Sequence, residues 1–141
     1  MILKKNKKIS IFEYTTNIYY EDTDSSGFVY HASYLRFAER ARSEMIKKIS
    51  PMMIKSFVEG IFLFVVKDLS VSYIKPCKLL DELLIKTKIV KITKCSLSLS
   101  QEIYNNLSIC NTINVKLVWI NSVSGKPSKI PLDLISRFNK L

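Results

Sequence analysis

Hydrophobic and polar positions alternate along most of the second half of this chain. Leu83, Ile85 and Ile89 alternate with Lys86 and Lys88. Leu97, Leu99 and Ile103 alternate with Ser96, Ser98, Ser100 and Glu102. Ile109, Ile113, Val115, Leu117 and Trp119 alternate with Thr112, Asn114 and Lys116. A period of two with one apolar face predicts strands of an antiparallel sheet packed on one side. Upstream, Leu63, Val65, Leu69, Val71 and Tyr73 read as one face of a further strand, interrupted by Lys67 and ended by Pro76. Phe12 to Glu21 reads as the first strand, with Phe12, Tyr14, Ile18 and Tyr20 on one face.

From His31 or Ser33 to about Ile49 the period is helical instead. At 100° per residue, Tyr34, Leu35, Phe37, Ala38, Ala41, Met45, Ile46 and Ile49 cover roughly half the circumference, which predicts a helix largely enclosed. Ser50-Pro51 reads as an N-cap and first helical position of a short second helix to about Glu59. Ser124-Gly125 suggests a turn, and residues 131–139 a terminal helix. Several one-sided strands and one enclosed helix predict an α+β fold, a curved antiparallel sheet of about five strands wrapped around one long central helix. No repeat or linker divides residues 1–141, so a single domain is expected. Arg42 falls inside the apolar arc, and Glu39, three residues earlier, is the expected partner for its charge.

Composition adds constraints on partners and compartment. Hydrophobic residues make up 48% of the 141, enough for a packed core. No apolar run approaches the ~20 residues of a membrane span. The basic N-terminal run is not followed by a signal-peptide apolar region, so a cytoplasmic location is expected. Cys77, Cys95 and Cys110 are too widely spaced for a zinc pair and read as free thiols of a reducing compartment. The formal net charge of +10 is a soluble basic surface or an attraction for polyanions. No nucleic-acid recognition motif accompanies it.

Candidate chemistry is concentrated in Tyr19–Glu44, YYEDTDSSGFVYHASYLRFAERARSE. Asp22 and Asp24 alternate and should point in different directions, so only one faces the helix start. Ser25, Ser26 and Gly27 break the strand pattern, and His31, the only histidine, stands where the helix begins. Helix starts carry unpaired N–H groups and partial positive charge. Read on their own, the two carboxylates also suit a helix cap, a solvated loop or a divalent metal, and His31 a structural role.

The combination of YYEDTD, a glycine, VYH, a YLxF step and ERARxE in one register resembles the signature of hot-dog-fold acyl-CoA thioesterases. It is most similar to the 4-hydroxybenzoyl-CoA thioesterase branch and, within it, to the YbgC-type enzymes associated with the Tol-Pal system. The resemblance runs from about Tyr14 to the region of Trp119 and weakens after Asp81.

The resemblance implies a hot-dog fold and hydrolysis of an acyl-CoA thioester to a free acid and coenzyme A, with neither metal nor other cofactor. It implies Asp24 as the catalytic carboxylate, either attacking the thioester or activating water, and His31 as the group serving the carbonyl or the leaving thiolate. Helix-start amides would stabilise the oxyanion. Gly27 lets the loop turn tightly beside the substrate. Tyr30 and Tyr34 flank the site as candidate acyl-pocket walls. Lys67, Lys75 and Lys78 are candidates for the coenzyme A phosphates. Acyl carrier protein is a second candidate partner, and a homotetramer built from edge-to-edge dimers, with sites between subunits, is the expected assembly. Two rivals stand beside this reading: a binding module of the same fold that holds acyl-CoA or acyl carrier protein with little turnover, and a charge-driven nucleic-acid binder.

Overall fold

The computed structural model describes residues 10–141. The basic run at residues 1–9, used above against a signal segment, lies outside the described residues. The elements follow as β1 (Ile11–Asn17), α1 (Ser33–Ile49), α2 (Met53–Glu59), β2 (Phe62–Tyr73), β3 (Glu82–Ile92), β4 (Ser96–Asn105), β5 (Ser108–Asn121) and α3 (Leu132–Asn139). The five strands form one antiparallel sheet in the order β1-β3-β4-β5-β2, as expected for the hot-dog arrangement. Directly paired residues share a face. Tyr14 stands opposite Ile85, Ile85 opposite Ile103, Leu99 opposite Val115, and Leu117 opposite both Leu97 and Val66. That continuous inner face receives α1.

Phe37, Ala38, Ala41 and Met45 of α1 are fully buried against it. The two alanines let the helix backbone approach the strands closely, while Phe37 and Met45 fill the space on either side. Burying each large apolar side chain contributes ~1.5–3 kcal/mol. The core forms two clusters. One, with Phe37, Ile85 and Ile103, lies under the first half of α1. The other, with Met45, Leu117, Trp119 and Phe138, lies under its second half and brings in α3.

Arg42 takes a different partner from the expected Glu39. Its Nη1 donates to Oε1 of the fully buried Gln101 at 2.9 Å. Gln101 Nε2 in turn donates to the Ala38 carbonyl at 2.9 Å and to Thr87 Oγ1 at 3.0 Å. Burial pushes the guanidinium pKa down, and the charge of Glu39 opposes that shift through space. Glu39 itself stays exposed and accepts from Ser43 Oγ at 2.7 Å. A carboxylate pulled in to meet Arg42 would lose its hydration, whereas the Gln101 carbonyl is already inside and needs an N–H donor.

Four other expectations shift. β1 ends at Asn17, and Tyr20–Asp22 form a 3-10 turn that leaves Tyr20 81% exposed instead of on the inner face. Asp22 draws the chain into that turn by accepting the Tyr19 N–H through Oδ2 at 3.0 Å. In β2 the pairing slips between Val66 and Asp68, leaving Lys67 as an extra residue. This bulge reverses the alternation. Before it Phe62, Phe64 and Val66 face inward, not Leu63 and Val65; after it Leu69, Val71 and Tyr73 do. A second slip, between Ile103 and Tyr104 of β4, takes Ile109 off the inner face. Lastly, α2 begins at Met53. Ser50 closes α1 instead, donating its N–H to the Ile46 carbonyl at 2.8 Å, and its side chain caps nothing.

The Gln101 hub is testable through stability. Gln101→Leu removes one side chain, strands the Arg42 guanidinium and the Thr87 hydroxyl, and takes from the Ala38 carbonyl the donor it holds beyond its helical one. A loss of about 2–4 kcal/mol in urea unfolding is expected.

Candidate active site

The segment between β1 and α1 is built as a small hairpin whose arms are locked by the two aspartates in different ways. Asp22 is buried and structural: besides its bond to the Tyr19 N–H, its carbonyl accepts from the Tyr30 N–H at 2.8 Å and from Ser33 Oγ at 3.2 Å. Asp24 opens the turn. Its N–H donates to the Phe28 carbonyl at 3.0 Å, and its carbonyl accepts the Gly27 N–H at 3.1 Å. Gly27 closes the loop at φ 83°, a left-handed conformation costly for a residue with a Cβ.

The Asp24 carboxylate is exposed, and Oδ1 accepts from the Ser26 N–H at 2.8 Å and from the Ser26 hydroxyl. Those two bonds, hydroxyl first, lower its pKa below the ordinary carboxylate range, and the positive form of His31 adds in the same sense. Asp24 is ionised throughout the neutral range, as an exposed carboxylate is, and the Ser26 bonds extend that range to lower pH.

The hairpin is held against the segment that joins β2 to β3. Val29 N–H donates to the Cys77 carbonyl at 2.8 Å, and Phe28 bridges to Lys78. Tyr34 Oη accepts the Cys77 N–H at 3.1 Å from the first turn of α1. Between these pieces lies a cavity of about 250 Å³, with His31 and Tyr34 on one side, Tyr73, Ile74, Lys75 and Pro76 on the other, and Val29 beside them. The Tyr30 ring lies 4.4 Å from the imidazole, centroid to centroid. The Cys77 thiol is pushed up to about 12, by burial and then by the neighbouring Cys110, so it offers no thiolate at neutral pH.

His31, Tyr34 and Lys75 thus share the cavity, with the Tyr30 ring tilted against the imidazole and Asp24 and Gly27 on the hairpin outside it. Lys67 is elsewhere, at the β2 bulge, and does not line it. At the helix start, the Ser33 N–H is committed to the Tyr30 carbonyl at 2.8 Å and the Leu35 N–H to that of Ala32 at 3.2 Å. Fewer amides face outward there than an ideal helix start offers.

Tyr73 is the site residue that sequence patterning does not find. Its hydroxyl donates to the His31 carbonyl at 2.9 Å, across 42 positions of chain. Its direct partner across the sheet is Asn111, a fully buried amide with no hydrogen bond to either side-chain polar atom among the described residues.

A family model described as the thioesterase-like superfamily matches residues 19–138, a span that contains the hairpin, α1 and the whole of the cavity. This chain belongs to that superfamily. Among superfamily members, it is 35% identical over 132 residues to the Escherichia coli protein named acyl-CoA thioester hydrolase YbgC, covering 93% of this chain and 98% of that one. It is 42% identical over 123 residues to the Helicobacter pylori protein named acyl-CoA thioesterase YbgC, covering 81% and 90%. A Bartonella henselae structure described as a probable thioesterase superposes with a TM-score of 0.78 at 34% identity, over 86% of this chain and 100% of that one.

The electrostatics of the superfamily hairpin can be checked in this chain directly. Ser26→Ala removes the larger of the two hydrogen bonds that lower the Asp24 pKa and leaves the backbone one. The Asp24 pKa should rise toward the ordinary carboxylate value, read from its side-chain carboxyl carbon in an NMR titration. An unmoved value would show that the Ser26 hydroxyl is not what lowers it.

Proposed function

We infer that this protein is an acyl-CoA thioester hydrolase, releasing a free acid and coenzyme A, with Asp24 and His31 as its catalytic pair. The observation that carries the reading is the single hairpin that presents an exposed Asp24 carboxylate, its pKa lowered by Ser26 and, through space, by the charge of His31 at the start of α1. Asp24 takes a proton from water, the hydroxide oxygen bonds to the thioester carbon, and the carbon–sulfur bond breaks with its electron pair going to sulfur. His31 serves the carbonyl oxygen or protonates the departing thiolate. Tyr34 and Val29 supply apolar wall, and Gly27 keeps the hairpin tip free of side chain. Lys75 and Lys78, beside the cavity, suit the phosphates of coenzyme A better than Lys67 does.

A carboxylate whose pKa is held low is a weak base. Desolvation raises it. The reading therefore includes a second subunit: β2 is an edge strand whose inward residues Val66, Leu69 and Tyr73 are 50%, 38% and 51% exposed. Pairing two such edges removes an aggregation-prone strand border and covers those residues, and closing over the hairpin would dry Asp24. A tetramer of such dimers in the cytoplasm is the assembly proposed. Acyl carrier protein remains a second candidate carrier of the acyl group.

Asp24→Asn should cut turnover by ~10²–10⁴-fold with the fold intact, measured as free-thiol release across short, long and aromatic acyl-CoAs. Retention of most activity by Asp24→Asn, with loss in Asp22→Asn, would assign the chemistry to the other carboxylate. No turnover with any acyl-CoA, alongside tight binding, would favour a holding module instead.

Light scattering on the active protein at micromolar concentration should give a mass of two or four chains. An active monomer would exclude the shared-site arrangement.

A further inference from the structure

We propose that Tyr73 is the positioning residue for His31. The proposal rests on the reading of His31 as a group acting at the thioester, and it concerns a contact that pairs no two catalytic side chains. Tyr73 is the last residue of β2, and the Lys67 bulge gives it an inward direction. From there its hydroxyl reaches the start of α1 and donates to the backbone carbonyl of His31 at 2.9 Å. Its ring meets Tyr34 edge-on, centroids 5.8 Å apart, so the hydroxyl is aimed by packing and not left to rotate freely. Tyr73 and His31 also share the cavity wall.

One hydrogen bond to a neutral carbonyl adds little net to folding, whether Tyr73 faces water or a second subunit. What the bond does fix is the backbone of His31, which lies before the first residue of α1 and has no helical hydrogen bonds to hold it. The imidazole is anchored to that backbone, with the Tyr30 ring packed beside it. Reacting groups need placement to within a fraction of an ångström, and a misplacement of about 1 Å can cost ~10²-fold in rate. A tether from the sheet edge to the His31 peptide supplies that placement. It also explains why an aromatic residue with a hydroxyl closes β2 where Phe62 and Phe64, at its other end, have none.

The test is a double-mutant cycle with thiol release as the assay. Tyr73→Phe keeps the ring and deletes the hydroxyl. It should lower kcat roughly five- to a hundredfold with KM within about twofold, while the thermal midpoint stays close to wild type. In the His31→Ala background the same substitution should change kcat by less than about twofold, because the group being positioned is gone. His31 is the only histidine, so its imidazole NMR signals are unique. They should shift or broaden in Tyr73→Phe and stay put in the control Tyr104→Phe, whose hydroxyl instead donates to Glu102 at 2.6 Å. Normal kcat in Tyr73→Phe, or an equal loss in both backgrounds, overturns the positioning role. Near-normal kcat in His31→Ala alone overturns the role of His31, and the positioning role with it, and that single variant identifies which of the two failed.

Discussion

The enclosure of α1 sets the terms for everything else in this structure. Phe37, Ala38, Ala41 and Met45 have no exposed surface, and covering them requires strands to reach around the helix from both sides. The sheet does so with β4 near its middle and β1 and β2 at its edges. Once α1 is locked in that trough, its N-terminus has one possible height above the strands. The hairpin from Asp22 to Tyr30 must descend to meet it, and the segment after β2 must pass alongside. The cavity is the space left where those three constraints meet. Arg42 shows how strict the enclosure is: a guanidinium on the buried arc is accommodated through an amide carbonyl, with Gln101 binding helix and two strands into one unit.

Much of this was legible in the residues. One-sided alternation in β3, β4 and β5 marked the sheet, and the wide apolar arc marked the buried helix. The Asp-turn-His register marked the hairpin, because its chemistry and its backbone demands fall within a dozen consecutive positions. What escaped were events that depend on distant partners. A period of two cannot announce where a strand gains a residue, so the parity of β2 was wrong before Lys67 and right after it. Glu39 was the nearest countercharge to Arg42 in sequence, yet the partner came from 59 positions away, chosen by desolvation instead of proximity. Tyr73 looked like one more inward residue because its hydroxyl's acceptor is a backbone carbonyl, and a carbonyl leaves no signature in a sequence.

Charge is distributed with similar economy. Among the described residues only two ion pairs form, Lys55–Glu59 and Arg137–Asp133, both on exposed helix faces four residues apart. Such pairs contribute ~0.3–0.5 kcal/mol each, so the fold does not rest on them. Among the described residues most of the lysines and arginines are left facing water, where their charge acts at a distance on anything polyanionic. The hairpin is the local exception, an exposed carboxylate whose pKa the Ser26 hydrogen bonds lower further.

The bulge at Lys67 constrains how this chain can change. Removing Lys67 itself would restore a regular strand and leave Phe64, Val66, Leu69 and Val71 all facing inward. Removing or adding one residue in the regular stretches on either side would instead turn over the side chains on one side of the change. Away from Lys67, strand β2 is therefore intolerant of changes in length even where its side chains are half-exposed. Insertions and deletions have somewhere else to go: Asn106–Leu107 between β4 and β5, where Leu107 is 97% exposed, and the turn around Val123, 87% exposed. Drift in chain length should thus collect at the far turns of the sheet and, within β2, at the bulge alone.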